Sequence, residues 1–197
     1  SANGSTLLGS RLIGGSGDDG VNIQETRAGT ISLQQNYGDD GRSEVILDGA
    51  NNIYVASCTR SVNFPVNNGF QASSGGGQDA VLIKMDPNLA GAAALFSSYL
   101  GGDEADAAYV LSLAPNGDIF VAGGTESDNF PGSHAGTIGT ASNGGIDGFI
   151  AQVSNNGSTL IRSTYVGTSG IDQIYGIQFD LKGFVYIMGQ TTGDMPL

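Results

Sequence analysis

The sequence predicts an all-β fold: a β-propeller in which about three four-stranded blades are visible as a partial ring, with a period of about 66 residues. Three observations predict it. Short motifs return in the same order at 66-residue steps, each period holds four strand-like runs divided by turn residues, and no window shows a helical period.

The motifs come first. Ser97-Ser98-Tyr99-Leu100-Gly101-Gly102 matches Ser163-Thr164-Tyr165-Val166-Gly167-Thr168, with an earlier copy at Ser10-Arg11-Leu12-Ile13-Gly14-Gly15. Asn52-Ile53-Tyr54-Val55-Ala56 returns as Asp118-Ile119-Phe120-Val121-Ala122 and as Phe184-Val185-Tyr186-Ile187-Met188. Asn63-Phe64-Pro65 returns as Asn129-Phe130-Pro131 and, more loosely, as Asp194-Met195-Pro196. The repeats run from about 1 to 90, 91 to 156 and 157 to 197, the last one incomplete. The first is 21 residues longer, and the excess at 20–40 lies between two copies of Gly-Asp-Asp-Gly. Alternation around 29–37 suits an extra hairpin or an extended loop there.

In the middle repeat the strand-like runs are Leu95 to Leu100, Tyr109 to Leu113, Ile119 to Gly123 and Phe149 to Val153, each of ordinary strand length. Pro115-Asn116-Gly117-Asp118 and Asn155-Asn156-Gly157-Ser158 are hairpin signals, because Asn and Gly tolerate positive φ. Val45 and Leu47 align with Leu111 and Leu113 and with Ile177 and Phe179, so one face of that strand is expected to be apolar in every repeat. A two-sheet sandwich predicts no such internal identity. A parallel β-helix wants a far shorter period. Repetition of four-stranded sheets about an axis fits. The last repeat stops after its third run, and three blades fall short of the roughly four that closure needs, so the chain reads as an arc of a larger ring.

Composition narrows function by exclusion. The chain has 197 residues, 33 of them Gly, with 19 acidic against 7 basic side chains and a formal charge of −12. A phosphate backbone or an anionic membrane surface would be repelled. No apolar run approaches the roughly 20 residues that span a bilayer, and Ser1 opens no signal-peptide pattern. The single cysteine, Cys58, rules out an internal disulfide and a multi-cysteine zinc site, and its apolar surroundings mark it as a buried thiol.

The ordered series Ser-Thr-Tyr-Val-Gly (163–167), the Gly/Asp-rich turn after it, Asn-Gly-Asp-Ile-Phe-Val-Ala-Gly (116–123) and Asn-Phe-Pro (129–131), with the Gly/Asp run near 76–80, resembles the bacterial β-propeller repeat called SBBP. The resemblance covers essentially the whole chain; the insertion at 20–40 departs from it. It implies a propeller in a secreted or cell-surface bacterial protein, commonly large and multidomain, and it implies no catalytic chemistry.

Candidate chemistry is sparse. Gly15-x-Gly17-x-x-Gly20 matches a dinucleotide fingerprint in form, but Asp18 and Asp19 sit in the loop and the other repeats lose the glycines. Residues 14–22 fit a calcium-binding nonapeptide, though that motif works in tandem nine-residue turns. One aspartate persists per Gly/Asp turn: Asp19 or Asp40, then Asp106, then Asp172. Capping the turn by accepting backbone N–H groups is the simpler role for them, with calcium ligation the alternative. His134, the only histidine, is expected in an exposed loop, and one histidine without a thiolate or a second base assembles no triad. Asn3-Gly4-Ser5 and Asn156-Gly157-Ser158 fit the glycosylation sequon, but their equivalent positions make them turns.

In an up-and-down meander the connections alternate between two faces. The Asn-Gly hairpins are short; the Gly/Asp turns, the Asn-Phe-Pro loops and the insertion share the other face. The expectation is a non-catalytic binding or structural module, with no cofactor beyond the calcium alternative, that engages a protein or glycan, in adhesion or assembly, through its long-loop face. Remaining blades or other domains of the same protein are its further partners. The alternative is the propeller part of a carbohydrate-active enzyme whose catalytic residues lie outside this segment.

Overall fold

The computed structural model describes residues 1, 3–22, 33–34, 41–89 and 94–195. Its strands pair antiparallel in three consecutive sheets. The first holds β1 (Glu44–Leu47), β2 (Ile53–Thr59), β3 (Asp79–Met85) and β4 (Phe96–Leu100), in that order. The second holds β5 (Asp106–Leu113), β6 (Ile119–Thr125), β7 (Asp147–Val153) and β8 (Leu160–Val166), and β9 (Asp172–Phe179) pairs with β10 (Val185–Thr191) in the third. The second strands begin 66 residues apart, at Ile53, Ile119 and Val185. Sheet and sequence repeat are out of phase by one strand, because the Ser-Tyr run that opens each repeat is the outer strand of the sheet before it.

The hairpins follow from their turn residues. Asn51, Gly117 and Gly183 occupy the same place with φ of 64°, 86° and 86°. In each turn their N–H groups reach back to Asp48, Ala114 and Asp180 carbonyls, at 2.9, 2.8 and 3.0 Å. Asn is the side-chain-bearing residue that best tolerates this left-handed conformation, so it can stand where the other repeats use glycine.

Alternation gives each sheet two apolar faces. Tyr54, Ala56 and Leu82 on the first sheet meet Leu111, Val121 and Phe149 on the second within one buried cluster. On the other side of the second sheet, Ala122 and Ile150 meet Ile174 and Ile177 of the third, and Phe120 packs edge-on against Phe179 with ring centroids 4.9 Å apart. Each fully buried side chain of this size contributes about 1.5–3 kcal/mol. Backbone hydrogen bonds fix one sheet on the next: the Asp106 N–H donates to the Gln78 carbonyl (2.8 Å) and the Asp172 N–H to the Ile146 carbonyl (2.7 Å).

One expectation changes, the burial of one apolar face in every repeat. The face carried by Leu111 and Ile177 is buried, at 2% and 3% exposure, but its equivalents Val45 and Leu47 are 62% and 58% exposed. Among the described residues no sheet stands against the inner strands of that side. The hairpin or loop anticipated around 29–37 falls largely outside the described residues, apart from Leu33 and Gln34.

Candidate long-loop face and its aspartate turns

The 4→1 and 2→3 connections lie on one face, where the Gly/Asp turn, the strand-ending Thr and the Asn-Phe-Pro loop form one unit, built twice in near-identical form. In the first, Asp19 Oδ2 accepts the Gly15 N–H (2.8 Å) and the Ser61 hydroxyl (3.1 Å), and Asp19 Oδ1 accepts the Thr59 hydroxyl. The Ser16 N–H donates to Asn63 Oδ1 and the Gly17 N–H to Ser61 Oγ, both at 2.8 Å. In the second, Asp106 Oδ2 accepts the Gly102 N–H (2.7 Å) and the Ser127 hydroxyl (2.9 Å). The Asp103 and Glu104 N–H groups then find Asn129 Oδ1 and Ser127 Oγ, both at 3.0 Å. The third turn keeps the aspartate alone: Asp172 Oδ2 accepts the Thr168 N–H at 2.6 Å and its hydroxyl at 3.0 Å.

Asp19, Asp106 and Asp172 thus occupy equivalent turns and accept N–H bonds from the residues four positions before them. They stand in different turns and are not brought together. Asp40 lies outside the described residues. Among the described residues no three His, Cys, Asp or Glu side chains converge in a metal-binding group. The turn amides a phosphate would use at 15–17 are already bonded to side chains.

A second aspartate, from the start of the third strand, stands beside two of these turns. A Cβ on Gly101 would run into the carboxylates of Asp79 and Asp106, and one on Gly167 into those of Asp147 and Asp172. Asp79 accepts the Ser74 hydroxyl (2.6 Å) and the Gly75 N–H (3.1 Å), and Asp147 accepts the Asn143 N–H (2.8 Å). Burial pushes the Asp106 carboxyl up to about 8 against the pull of its hydrogen bonds, and the Asp79 charge pushes the same way. Burial also raises Asp79 and Asp147, with Asp172 adding to the shift of Asp147.

The Tyr of the Ser-Tyr run locks the Asn-Phe-Pro loop of its own sheet. Tyr99 Oη accepts the Phe64 N–H (2.8 Å) and donates to the Ser61 carbonyl (2.6 Å). Tyr165 Oη accepts the Phe130 N–H (2.9 Å) and donates to the Ser127 carbonyl (3.0 Å). His134 joins this lock. It is not the exposed loop residue expected: it is half-buried and stacked on Tyr165 at 5.2 Å, with its ring nitrogens 3.0 Å from the Ser163 and Phe130 carbonyl oxygens. A loop rich in Gly and Ser gave no hint that it folds back over β8.

One residue of the insertion, Leu33, is anchored between the second and third sheets. Leu33 is fully buried in the cluster that holds Tyr109, Ala122 and Ile174. Its carbonyl accepts from Gln173 Nε2 (2.8 Å), Tyr109 Oη (3.1 Å) and Asn22 Nδ2 (3.2 Å). Gln78 Nε2 donates to Asn22 Oδ1 at 2.8 Å, and Tyr175 Oη to Gln173 Oε1 at 2.7 Å. The Arg42 guanidinium lies 4.0 Å above the Tyr175 ring. The available signal for this network is a break in the repeat: Gln173 stands where the second repeat has Ala107.

Consecutive antiparallel sheets packed face to face, with one kind of lock rebuilt at a fixed period, define a repeat protein assembled from β-sheets. Residues 161–195 match the family model SBBP, a beta-propeller repeat, and over that segment the chain carries such a repeat. No curated protein matches the chain.

Proposed function

We propose that the chain is a non-catalytic β-propeller module of a secreted or cell-surface bacterial protein, and that it binds a protein or glycan partner through its long-loop face. The observation that carries this reading is the docking of the insertion. Its Leu33 is held by three hydrogen-bond donors, while the motif residues of the repeats are spent on holding loops. A loop added to a rigid repeat and fixed at one residue is the element free to vary with the partner. The SBBP match supports the propeller, and the sheets of the chain form successive blades of it.

The test compares the full chain with a variant lacking residues 20–40, which restores the connection length of the second repeat. A second variant changes Gln35, Asn36 and Tyr37 to Ala and keeps Leu33. Both are applied to a glycan array and to a panel of purified surface proteins, with circular dichroism to follow the sheets. Ligands bound by the full chain are expected to be lost or weakened at least about tenfold in both variants. Unchanged binding by the two variants would overturn the assignment of the face.

A further inference from the structure

The two ends of the sheet stack expose matching halves of a contact that the chain buries internally. Where the first sheet meets the second, Tyr54 and Ala56 lie against the apolar row of Leu111 and Leu113 in one cluster. Tyr54, Ala56 and Leu111 are 1%, 0% and 2% exposed. One period on, the outer face of the third sheet repeats the first half with Tyr186 and Met188, 60% and 65% exposed. One period back, the outer face of the first sheet repeats the second half with Val45 and Leu47, 62% and 58% exposed.

The two faces also complement each other in extent. On the first sheet the outer strands are already covered, since Ile13 packs there in the cluster of Phe64, Val81 and Tyr99. What is open is the inner part, at β1. The other end of the stack offers inner strands, β9 and β10. We infer that a second copy of this chain docks front to back, its Tyr186/Met188 face on the Val45/Leu47 face, and reproduces between copies the packing found between the first and second sheets. The contact is heterologous, because each copy contributes a different surface. It involves neither the long loops nor the insertion.

The experiment is sedimentation equilibrium of the full 197-residue chain, mass 20.0 kDa, from micromolar to near-millimolar concentration. The expected result is a mass that rises with concentration beyond one copy. Val45→Glu blocks one face and Tyr186→Glu the other, so each alone raises the dissociation constant about tenfold or more. An equimolar mixture of the two variants keeps one intact front and one intact back, so it regains association and stops at two copies. Both positions are exposed and tolerate a charge; circular dichroism verifies this, and Val45→Ser with Tyr186→Ser repeats the test if either Glu variant unfolds. A wild-type chain that stays monomeric throughout overturns the inference. So does undiminished association of either variant alone, which marks a patch pairing with itself, or a mixture that fails to associate.

Discussion

Replacing Tyr165 by Phe removes one oxygen from a site that is 2% exposed. The ring keeps its place against Phe130 and His134, so the perturbation is confined to hydrogen bonding. The Phe130 N–H loses its acceptor at 2.9 Å and the Ser127 carbonyl loses its donor at 3.0 Å. An orphaned buried group costs about 1–3 kcal/mol, so the two together cost about 2–6 kcal/mol. For a domain of this size that corresponds to a fall on the order of 10 °C in Tm. Calorimetry and urea denaturation read the loss, and hydrogen exchange at the Phe130 amide locates it. Tyr99→Phe breaks the same pair of bonds, at 2.8 and 2.6 Å, and is expected to cost the same within about 1 kcal/mol. Tyr54→Phe is the contrast: its hydroxyl donates at 3.2 Å to Asp48, a half-exposed carboxylate that water can serve, and its loss is expected to cost under about 1 kcal/mol. If Tyr165→Phe proved no more costly than Tyr54→Phe, water would have to reach the loop, and the lock would not be what joins the two motifs.

Three further outcomes follow from the same geometry. Asp106 has a folded carboxyl raised to about 8, above its unfolded value, so the folded state holds a proton that the unfolded chain releases. Stability is therefore expected to fall as pH rises from about 4 to about 8, by up to roughly 1.4 kcal/mol per pH unit from this group, and Asp106→Asn flattens that slope in urea titrations at stepped pH. Gly101→Ala and Gly167→Ala each drive a methyl into two carboxylates and are expected to destabilise by about 1–3 kcal/mol or more, whereas Gly49→Ala, where nothing lies within 4 Å, stays near neutral in the same melts. Burial, with the Asp19 charge adding, pushes the Cys58 thiol up to about 12, so it is expected to resist a thiol-specific disulfide reagent at pH 8 until the chain unfolds.

Much of the fold was legible because its period is long and its turns are explicit. The order of strands, the Asn-Gly hairpins and the apolar row of Leu111 and Ile177 all stand in the sequence. The start of β5 was not placed. Asp106, Ala107 and Ala108 show no strand preference, and the strand begins there because they pair with Thr125, Gly124 and Gly123 of β6 while the Asp106 N–H reaches the Gln78 carbonyl just before β3. The aspartates were legible as turn caps. Their neighbours Asp79 and Asp147 were not, since the pairing crosses from one strand to the turn after another and leaves no local spacing. Asn22, Leu33, Gln78 and Gln173 were missed for the same reason: they meet only in three dimensions, and the trace they leave is a break in the repeat at Gln173.

The division between repeating and non-repeating residues also orders the functional question. A residue returning every 66 positions serves what every sheet needs, and the polar motif residues of the loops have structural partners: Tyr165 holds Phe130, Asn129 holds the turn at Asp103, and Asp106 holds Gly102. Such groups are already bonded, and Tyr165 and Asp106 are buried as well, so recruiting them for a ligand would first cost the lock itself. On the proposed reading, ligand recognition by the long-loop face therefore falls to positions where the repeats disagree. The largest disagreement is the 20–40 insertion, and the next is the pair of glutamines, Gln78 and Gln173, that meet it at Asn22 and Leu33 where the second repeat has Ile146 and Ala107. Leu33 of the insertion touches Tyr109 of β5 and Gln173 of β9, so this one residue bridges two successive sheets. A partner gripping that loop would hold those sheets together, and its binding should raise Tm with the logarithm of ligand concentration, still rising after the face is saturated.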